Sequence, residues 1–103
     1  MVEQMGSKDF AEHLNTVFRV EEPLALPLEL SAVDEGSNAQ VEQFSLTFTG
    51  PESPWLRQGT YALKHETAGE IELFLVPLGP RDGRMIYESV FARLKNAVPA
   101  PKA

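Results

Sequence analysis

The sequence predicts a mainly β protein, a small antiparallel six-stranded meander barrel or sandwich with one short N-terminal helix. Three observations lead to this prediction. From Thr16 onward, apolar and polar residues alternate with a period of two, which is the period of a half-buried strand. Gly and Pro interrupt these runs at the regular spacing typical of all-β sandwiches and barrels. No segment is a helix long enough to connect parallel strands.

The helix is predicted close to the N-terminus. Ser7 can cap the free backbone amides in the first turn of a helix predicted over residues 8–14. Phe10 and Leu14 share one helical face at i, i+4 spacing. Because a helix of two turns is marginal by itself, we expect Phe10 and Leu14 to dock on the sheet.

The strands follow in order and are predicted over residues 16–20, 24–33, 41–49, 59–65, 70–76 and 84–94. In the second strand, Leu residues alternate with polar or small ones, and Pro27 on the outer side predicts an edge or a bulge. In the third strand, Phe44, Leu46 and Phe48 share one face. Each strand therefore has one face suited to a core.

A hairpin is predicted where the fourth strand meets the fifth. Residues 67–69 suit a three-residue loop whose last position prefers Gly. This register places Leu63 opposite Leu73 and Lys64 opposite Glu72, so that apolar and oppositely charged side chains pair. A second turn rich in Gly and Pro leads into the last strand, and two such short connections predict a meander.

Length and charge limit the organisation of the chain. Its 103 residues allow one domain, predicted over residues 1–95, with a frayed tail at 96–103. Nine Lys and Arg against fifteen Asp and Glu give a net charge of −6. Residues 1–50 carry −7 and residues 51–103 carry +1. We expect no nucleic-acid partner, because an acidic surface repels phosphate.

Composition also indicates the compartment. The chain has no cysteine, which excludes disulfides, thiolate metal sites and thiol nucleophiles and suits a reducing cytoplasm. The first eight residues lack the cationic start and apolar stretch of a secretory signal. The longest apolar run, residues 71–78, is far shorter than the roughly 20 residues of a membrane-spanning helix. We therefore expect a cytoplasmic protein that does not enter a membrane.

Four stretches of the sequence carry a resemblance to a known family: FSLTFTGP at 44–51, LRQGTYALKH at 56–65, GEIELFLVPLG at 69–79 and YESVF at 87–91. They resemble a family of small bacterial proteins catalogued only as a domain of unknown function, whose members begin with a short helix containing Phe. The resemblance covers most of the chain. It implies a compact β-rich domain, an accessory to a larger assembly with phage tail-collar-like gene neighbours, and no catalytic residues.

No pattern typical of an enzyme or a metal site is found. His13 and His65 are the only histidines, and their positions exclude a His-x-His or i, i+4 metal pair. A hairpin tip is too solvated to shift the pKa of His65, and Glu70 with Glu72 is better interpreted as a solubilising pair than as a glycosidase pair. An enzyme would need two of these residues to converge in a shielded cleft: His65, Glu66, Glu70, Asp82 and Glu88. We predict no catalytic, metal-binding or cofactor-binding residue.

The most informative loop is predicted between the third and fourth strands, where two prolines flank the single tryptophan. Trp and Arg are enriched at the energetic centres of protein interfaces. Trp55, Leu56 and Arg57 are therefore the candidate interaction residues. In the interpretation that we favour, Trp55 and Leu56 instead fold back and close one end of the barrel.

These observations predict a non-enzymatic module for protein–protein interaction or assembly, with a protein partner and self-association. Residues 71–78 and 85–94 have apolar side chains on both faces, and such strands need cover on both sides. The alternative is a small barrel that binds an apolar ligand in its mouth. Six strands leave little interior for such a ligand.

Overall fold

The computed structural model describes residues 7–36, 38 and 40–94. They form one helix, α1 (Ser7–Ala11), and six strands: β1 (Val17–Val20), β2 (Leu26–Glu35), β3 (Val41–Pro51), β4 (Gly59–His65), β5 (Gly69–Arg81) and β6 (Arg84–Leu94). The predicted mainly β fold, with six antiparallel strands and a short N-terminal helix, is confirmed. The predicted tail at 96–103 lies outside the described residues. No helix among the described residues is long and apolar enough to span a membrane.

The strands form one antiparallel sheet that closes on itself in the order β1-β2-β3-β6-β5-β4. The first three strands and the last three each follow one another as a meander. The two halves join where β3 pairs with β6 and where Arg19 and Val20 of β1 pair with β4. Because the connection at 52–58 crosses one end of the ring, β4 returns beside β1 in a Greek-key arrangement. The ring closes through two residue pairs between β1 and β4, Arg19 with Lys64 and Val20 with Leu63.

The irregularity predicted at Pro27 lies further along β2. The pairing between β2 and β3 shifts register at Ser31. Pro27 pairs with Arg19 of β1 and precedes the pairing to β3, which begins at Glu29. The missing N–H of Pro27 therefore interrupts no pairing to β3.

The hairpin of β4 and β5 is confirmed, but its predicted register is wrong by two residues. The observed pairs are Leu63 with Ile71 and Lys64 with Glu70, in place of Leu73 and Glu72. A shift of two residues keeps every side chain on its own face, so the alternation does not distinguish the two registers. The turn decides between them: Gly69 has a φ of 84° and pairs with His65, which leaves residues 66–68 as the loop.

β5 continues to Arg81, past its predicted end at residue 76. Pro77 and Pro80 lie inside this strand, although proline cannot donate a ladder hydrogen bond. A register shift between Pro77 and Gly79 accommodates them, and Gly79 there has a φ of 123°. Proline is tolerated in a sheet at such bulges.

The core fills the inside of the ring. Its inward-facing side chains are Phe18, Val20, Leu26, Leu28, Leu30, Phe44, Leu46, Phe48, Leu63, Ile71, Leu73, Leu75, Met85 and Tyr87. At one end, the fully buried ring of Phe10 lies 5.9 Å from that of Phe44 and 5.6 Å from that of Phe91. The predicted docking of the helix on the sheet is thus confirmed.

Helix α1 ends at Ala11 and is therefore shorter than the predicted helix, which extended to Leu14. The chain then turns, and Asn15 adopts a left-handed conformation with a φ of 66°. The Asn15 backbone N–H donates to the carbonyl oxygen of Leu30 at 2.7 Å. Ser7 is buried at the start of α1, where its hydroxyl donates to the Glu35 carboxylate at 2.8 Å. These contacts attach both sides of the helix to β2.

Candidate functional site

The predicted interaction residues Trp55, Leu56 and Arg57 lie in the loop that crosses the end of the ring opposite to α1. Leu56 is buried, whereas Trp55 is 48% exposed and Arg57 is exposed. The favoured interpretation, in which Trp55 and Leu56 both close the barrel, is right for Leu56 and wrong for Trp55. Two adjacent residues in an extended loop point in different directions, so the burial of one exposes the other.

Two tyrosines hold the backbone that follows Trp55. The Leu56 N–H donates to the Tyr87 phenolic oxygen at 2.8 Å. The Tyr61 hydroxyl donates to the Arg57 carbonyl oxygen at 2.6 Å. Burial raises the pKa of the Tyr87 phenol, and the hydrogen bond from Leu56 opposes that shift. Tyr87 therefore acts here as a neutral acceptor, and the loop presents Trp55 from an anchored backbone.

The two histidines meet at the other end of the ring. The rings of His13 and His65 are 4.5 Å apart between centroids, and the His65 ring lies 4.5 Å from that of Phe18. His13 follows α1 and His65 ends β4, so the pairing of β1 with β4 brings them together. No local spacing predicts this contact, because it depends on closure of the ring.

Both ring nitrogens of His65 are hydrogen-bonded. The Thr16 hydroxyl donates to the His13 carbonyl oxygen and lies 2.9 Å from His65 Nε2, so it accepts a hydrogen bond from Nε2–H. His65 Nδ1 accepts the backbone N–H groups of Thr67 and Ala68, each at 3.0 Å. This arrangement requires the neutral tautomer with the proton on Nε2. His65 thereby links the hairpin turn to the segment between α1 and β1.

The surroundings also favour neutral His65. The expectation that a hairpin tip is too solvated to shift the pKa of His65 is wrong: burial lowers this pKa, the nearby His13 lowers it further, and Glu66 acts in the opposite direction. The hydrogen bonds have the same effect, because a proton on Nδ1 would face two N–H donors. A group arranged in this way stabilises a turn and is poorly placed to remove a proton from a substrate.

His13 and His65 line an open cleft of about 640 Å³. Its wall includes the ion pair between Lys64 and Glu21, at 3.2 Å. Of the residues that an enzyme would need to gather, His65 and Glu66 reach this cleft. The others do not line it: Glu70 is exposed on β5, Asp82 lies in the turn before β6 and Glu88 lies on β6. Within residues 7–36, 38 and 40–94, no three His, Asp or Glu side chains gather as a metal site would require.

An apolar surface lies on the outer face of β5 and β6. We call Phe74, Leu78 and Val90 the outer patch; they are 49%, 58% and 60% exposed. Val76 of β5 pairs with Glu88 of β6. Phe74 lies two residues before Val76 and Val90 lies two residues after Glu88, so both are on the same outward face. The inner faces of both strands are buried. The apolar pattern on both faces of these strands thus leaves one face covered and the other exposed.

The two ends of the outer patch carry opposite charges. Glu70 and Glu72 precede Phe74 on the exposed side of β5, and Arg81 follows Leu78 and pairs with Arg84 of β6. Beside the patch, the outward residues of β3 are uncharged: Ser45, Thr47 and Thr49. Half-buried Glu88 is the carboxylate nearest the centre of the face. The outer face therefore runs from acidic, through largely apolar, to basic.

Comparisons with known proteins identify the family. A search of curated proteins and a search of solved structures gave no match. One family model matches residues 5–91, which include α1, β1 to β5 and most of β6. The match covers well over half of the chain and agrees with the expectation of an uncharacterised family. The chain belongs to the family described as Domain of unknown function (DUF6916).

Proposed function

We propose that this domain is a non-enzymatic protein-interaction module that docks through its outer patch. The supporting observation is the joint exposure of Phe74, Leu78 and Val90 on one sheet face. Single exposed apolar residues are ordinary, but neighbouring ones on one face typically mark a site of protein contact. Burial of this face would give β5 and β6 the cover that their apolar outer residues need.

The chemistry around the outer patch defines the partner. The outward residues of β3 beside it bear hydroxyl groups and no charge, so they require hydrogen bonds from a partner but no opposite charge. Charged residues lie chiefly at the ends, as Glu72 and Arg81. An apolar centre with a polar rim is the usual anatomy of a protein interface. We infer that the partner is a protein with an apolar, largely uncharged surface that carries charges at its margins.

The finer features of this proposal rest on other observations. The role as an accessory to a larger, phage-tail-like assembly rests on the family resemblance. The absence of catalysis is supported by His65, whose two ring nitrogens are already hydrogen-bonded. Trp55 stays a predicted interaction residue, in the loop at the end of the ring.

Binding of an apolar ligand inside the barrel is the weaker alternative. A Cβ atom added at Gly50 would lie 2.6 Å from the Leu28 side chain and 3.5 Å from the Tyr87 ring. Leu56 is buried at the same end and hydrogen-bonded to Tyr87. The interior at this end is already filled by the protein's own side chains, so the mouth offers little room.

The test compares two variants of the full chain in its host. The double variant Phe74→Ser/Val90→Ser removes the apolar centre, and Val17→Ser removes a similarly exposed side chain (48%) on β1, across the ring. Proteins captured from a host lysate are identified, purified and titrated against each form. We expect the double variant to bind at least about tenfold more weakly, equivalent to about 1.4 kcal/mol, and Val17→Ser to bind like the wild type.

The result also separates the two candidate surfaces. Trp55→Ala is titrated against the same purified partners. If Trp55→Ala loses binding while the double variant binds fully, the interaction surface is the loop that carries Trp55 and not the outer patch. Equal binding by the wild type and the double variant for every partner would overturn the proposal.

A further inference from the structure

Building on the proposed function, we propose that the partner of the outer patch is a second copy of this chain, related by a two-fold axis that lies in the plane of the interface and runs perpendicular to the direction of β5. The inference rests on the order of residues along that strand. Glu72 lies at one end of the exposed face, the apolar residues lie in the middle and Arg81 lies at the other end. A two-fold axis reverses this order in the partner.

Reversal makes the face complementary to itself. The ten residues from Glu72 to Arg81 extend over about 30 Å of strand. With the axis near Phe74 and Leu78, the acidic end of each copy meets the basic end of the other. Both contacts form at once, because a two-fold interface repeats every contact. Arg84, which pairs with Arg81 in the hairpin, already forms an ion pair with Glu29 at 3.8 Å, so Arg81 provides the charge at the basic end.

The charge distribution of the whole chain favours this face over the others. Residues 1–50 carry a charge of −7 and residues 51–103 carry +1. Two copies that met through the first half would repel each other strongly. β4, β5 and β6 all lie in the second half, where charge repulsion between copies is smallest.

The size of the face predicts a weak dimer. The face consists of β5 and β6, which are neighbours in the ring and about 4.8 Å apart, so it is about 10 Å wide and about 30 Å long. Its projected area falls below the roughly 800 Å² of accessible surface that each partner buries in a stable complex of standard size. Half-buried Glu88 lies on the same face and further weakens the contact. We expect a dissociation constant on the order of 10 to 100 μM.

Sedimentation of the purified full chain from about 10 μM to about 1 mM tests the inference, and charge reversal at each end tests the geometry. Glu72→Arg makes both ends basic, and Arg81→Glu makes both ends acidic. Each variant alone should dimerise at least fivefold more weakly than the wild type. An equimolar mixture of the two should associate at least as tightly as the wild type, because a fully basic face then meets a fully acidic one.

Two controls match these changes in net charge. Glu12→Arg and Lys8→Glu reverse exposed charges at α1, away from the outer patch. They should change dimerisation less than twofold. Restoration by mixing also excludes misfolding as the cause of the loss, since a misfolded variant would not recover with its counterpart.

The outcomes separate this inference from the proposed function. A wild-type chain that is monomeric at 1 mM, or a mixture that fails to associate, overturns the two-fold dimer. The interaction module still stands in that case if a host protein binds the wild type and not Phe74→Ser/Val90→Ser. Both ideas fall if the patch variant retains every association of the wild type.

Discussion

The phenolic oxygen of Tyr87 accepts the backbone N–H of Leu56 at 2.8 Å, inside the closed end of the ring. Tyr87 lies on β6, and Leu56 lies in the connection that crosses from β3 to β4. Both residues are buried, so solvent does not readily replace this hydrogen bond. One contact thus attaches the crossing connection to the sheet, next to the exposed Trp55.

Removal of the Tyr87 hydroxyl should be costly. In Tyr87→Phe the buried N–H of Leu56 loses its acceptor, which lowers the free energy of unfolding by about 1 to 3 kcal/mol. Urea denaturation monitored by circular dichroism measures the loss. Tyr61→Phe is the matched control, because its hydroxyl bonds the exposed Arg57 carbonyl, and we expect a loss below about 1 kcal/mol. Equal losses in the two variants would contradict this assignment.

His65 should make folding stability depend on pH. Its pKa in the folded protein is lower than the 6.5 of free histidine, so between these two values the unfolded chain binds more protons. Stability is therefore full above pH 6.5 and falls as the pH decreases from 6.5 toward the folded pKa. Urea denaturation from pH 8 down to pH 5.5 measures this effect. The lowest pH is still about a unit above the ordinary carboxylate range, which separates the effect of His65 from that of the carboxylates.

Two histidine variants test the origin of that pH dependence. His65→Asn keeps an acceptor for the turn but does not titrate, so the decrease in stability should disappear. His13→Gln removes the neighbouring charge that lowers the pKa of His65, so the decrease should become smaller. If the stability of His65→Asn decreases with falling pH as steeply as that of the wild type, other groups cause the pH dependence.

Phe10 should contribute much of the stability at the end of the ring closed by α1. Its ring is fully buried against Phe44 and Phe91, and Phe10→Ala leaves a cavity that costs about 3 to 5 kcal/mol. Thermal and urea denaturation measure the cost. Val17→Ala, at an exposed strand position, should cost less than about 1 kcal/mol. A small loss in Phe10→Ala would show that α1 docks weakly.

Gly69 should be the most sensitive residue of the hairpin turn. Its φ of 84° is a left-handed conformation, and a Cβ atom there costs about 1 to 2 kcal/mol. Gly69→Ala should lower the free energy of unfolding by that amount. Gly36→Ala is the control, because a Cβ there would meet only the Gln43 carbonyl oxygen at 3.9 Å. Similar losses at the two glycines would exclude backbone strain as the cause.

Sequence reasoning predicted the elements better than their partners. The alternation of Phe44, Leu46 and Phe48 correctly identified the buried face of β3. The same alternation did not determine the hairpin register, because a shift of two residues preserves it. Trp55 and Leu56 are adjacent and both have large side chains that can be buried, so the sequence did not show that only Leu56 is buried.

The sequence by itself determined the fold class, the strands and the short helix, because each follows from the spacing of apolar residues within a few positions. Only the tertiary structure decided how the strands close and what closure brings together. The pairing of β1 with β4 places His13 against His65, and the pairing of β5 with β6 gathers the outer patch. Such contacts join residues far apart in the chain, and no local period specifies them.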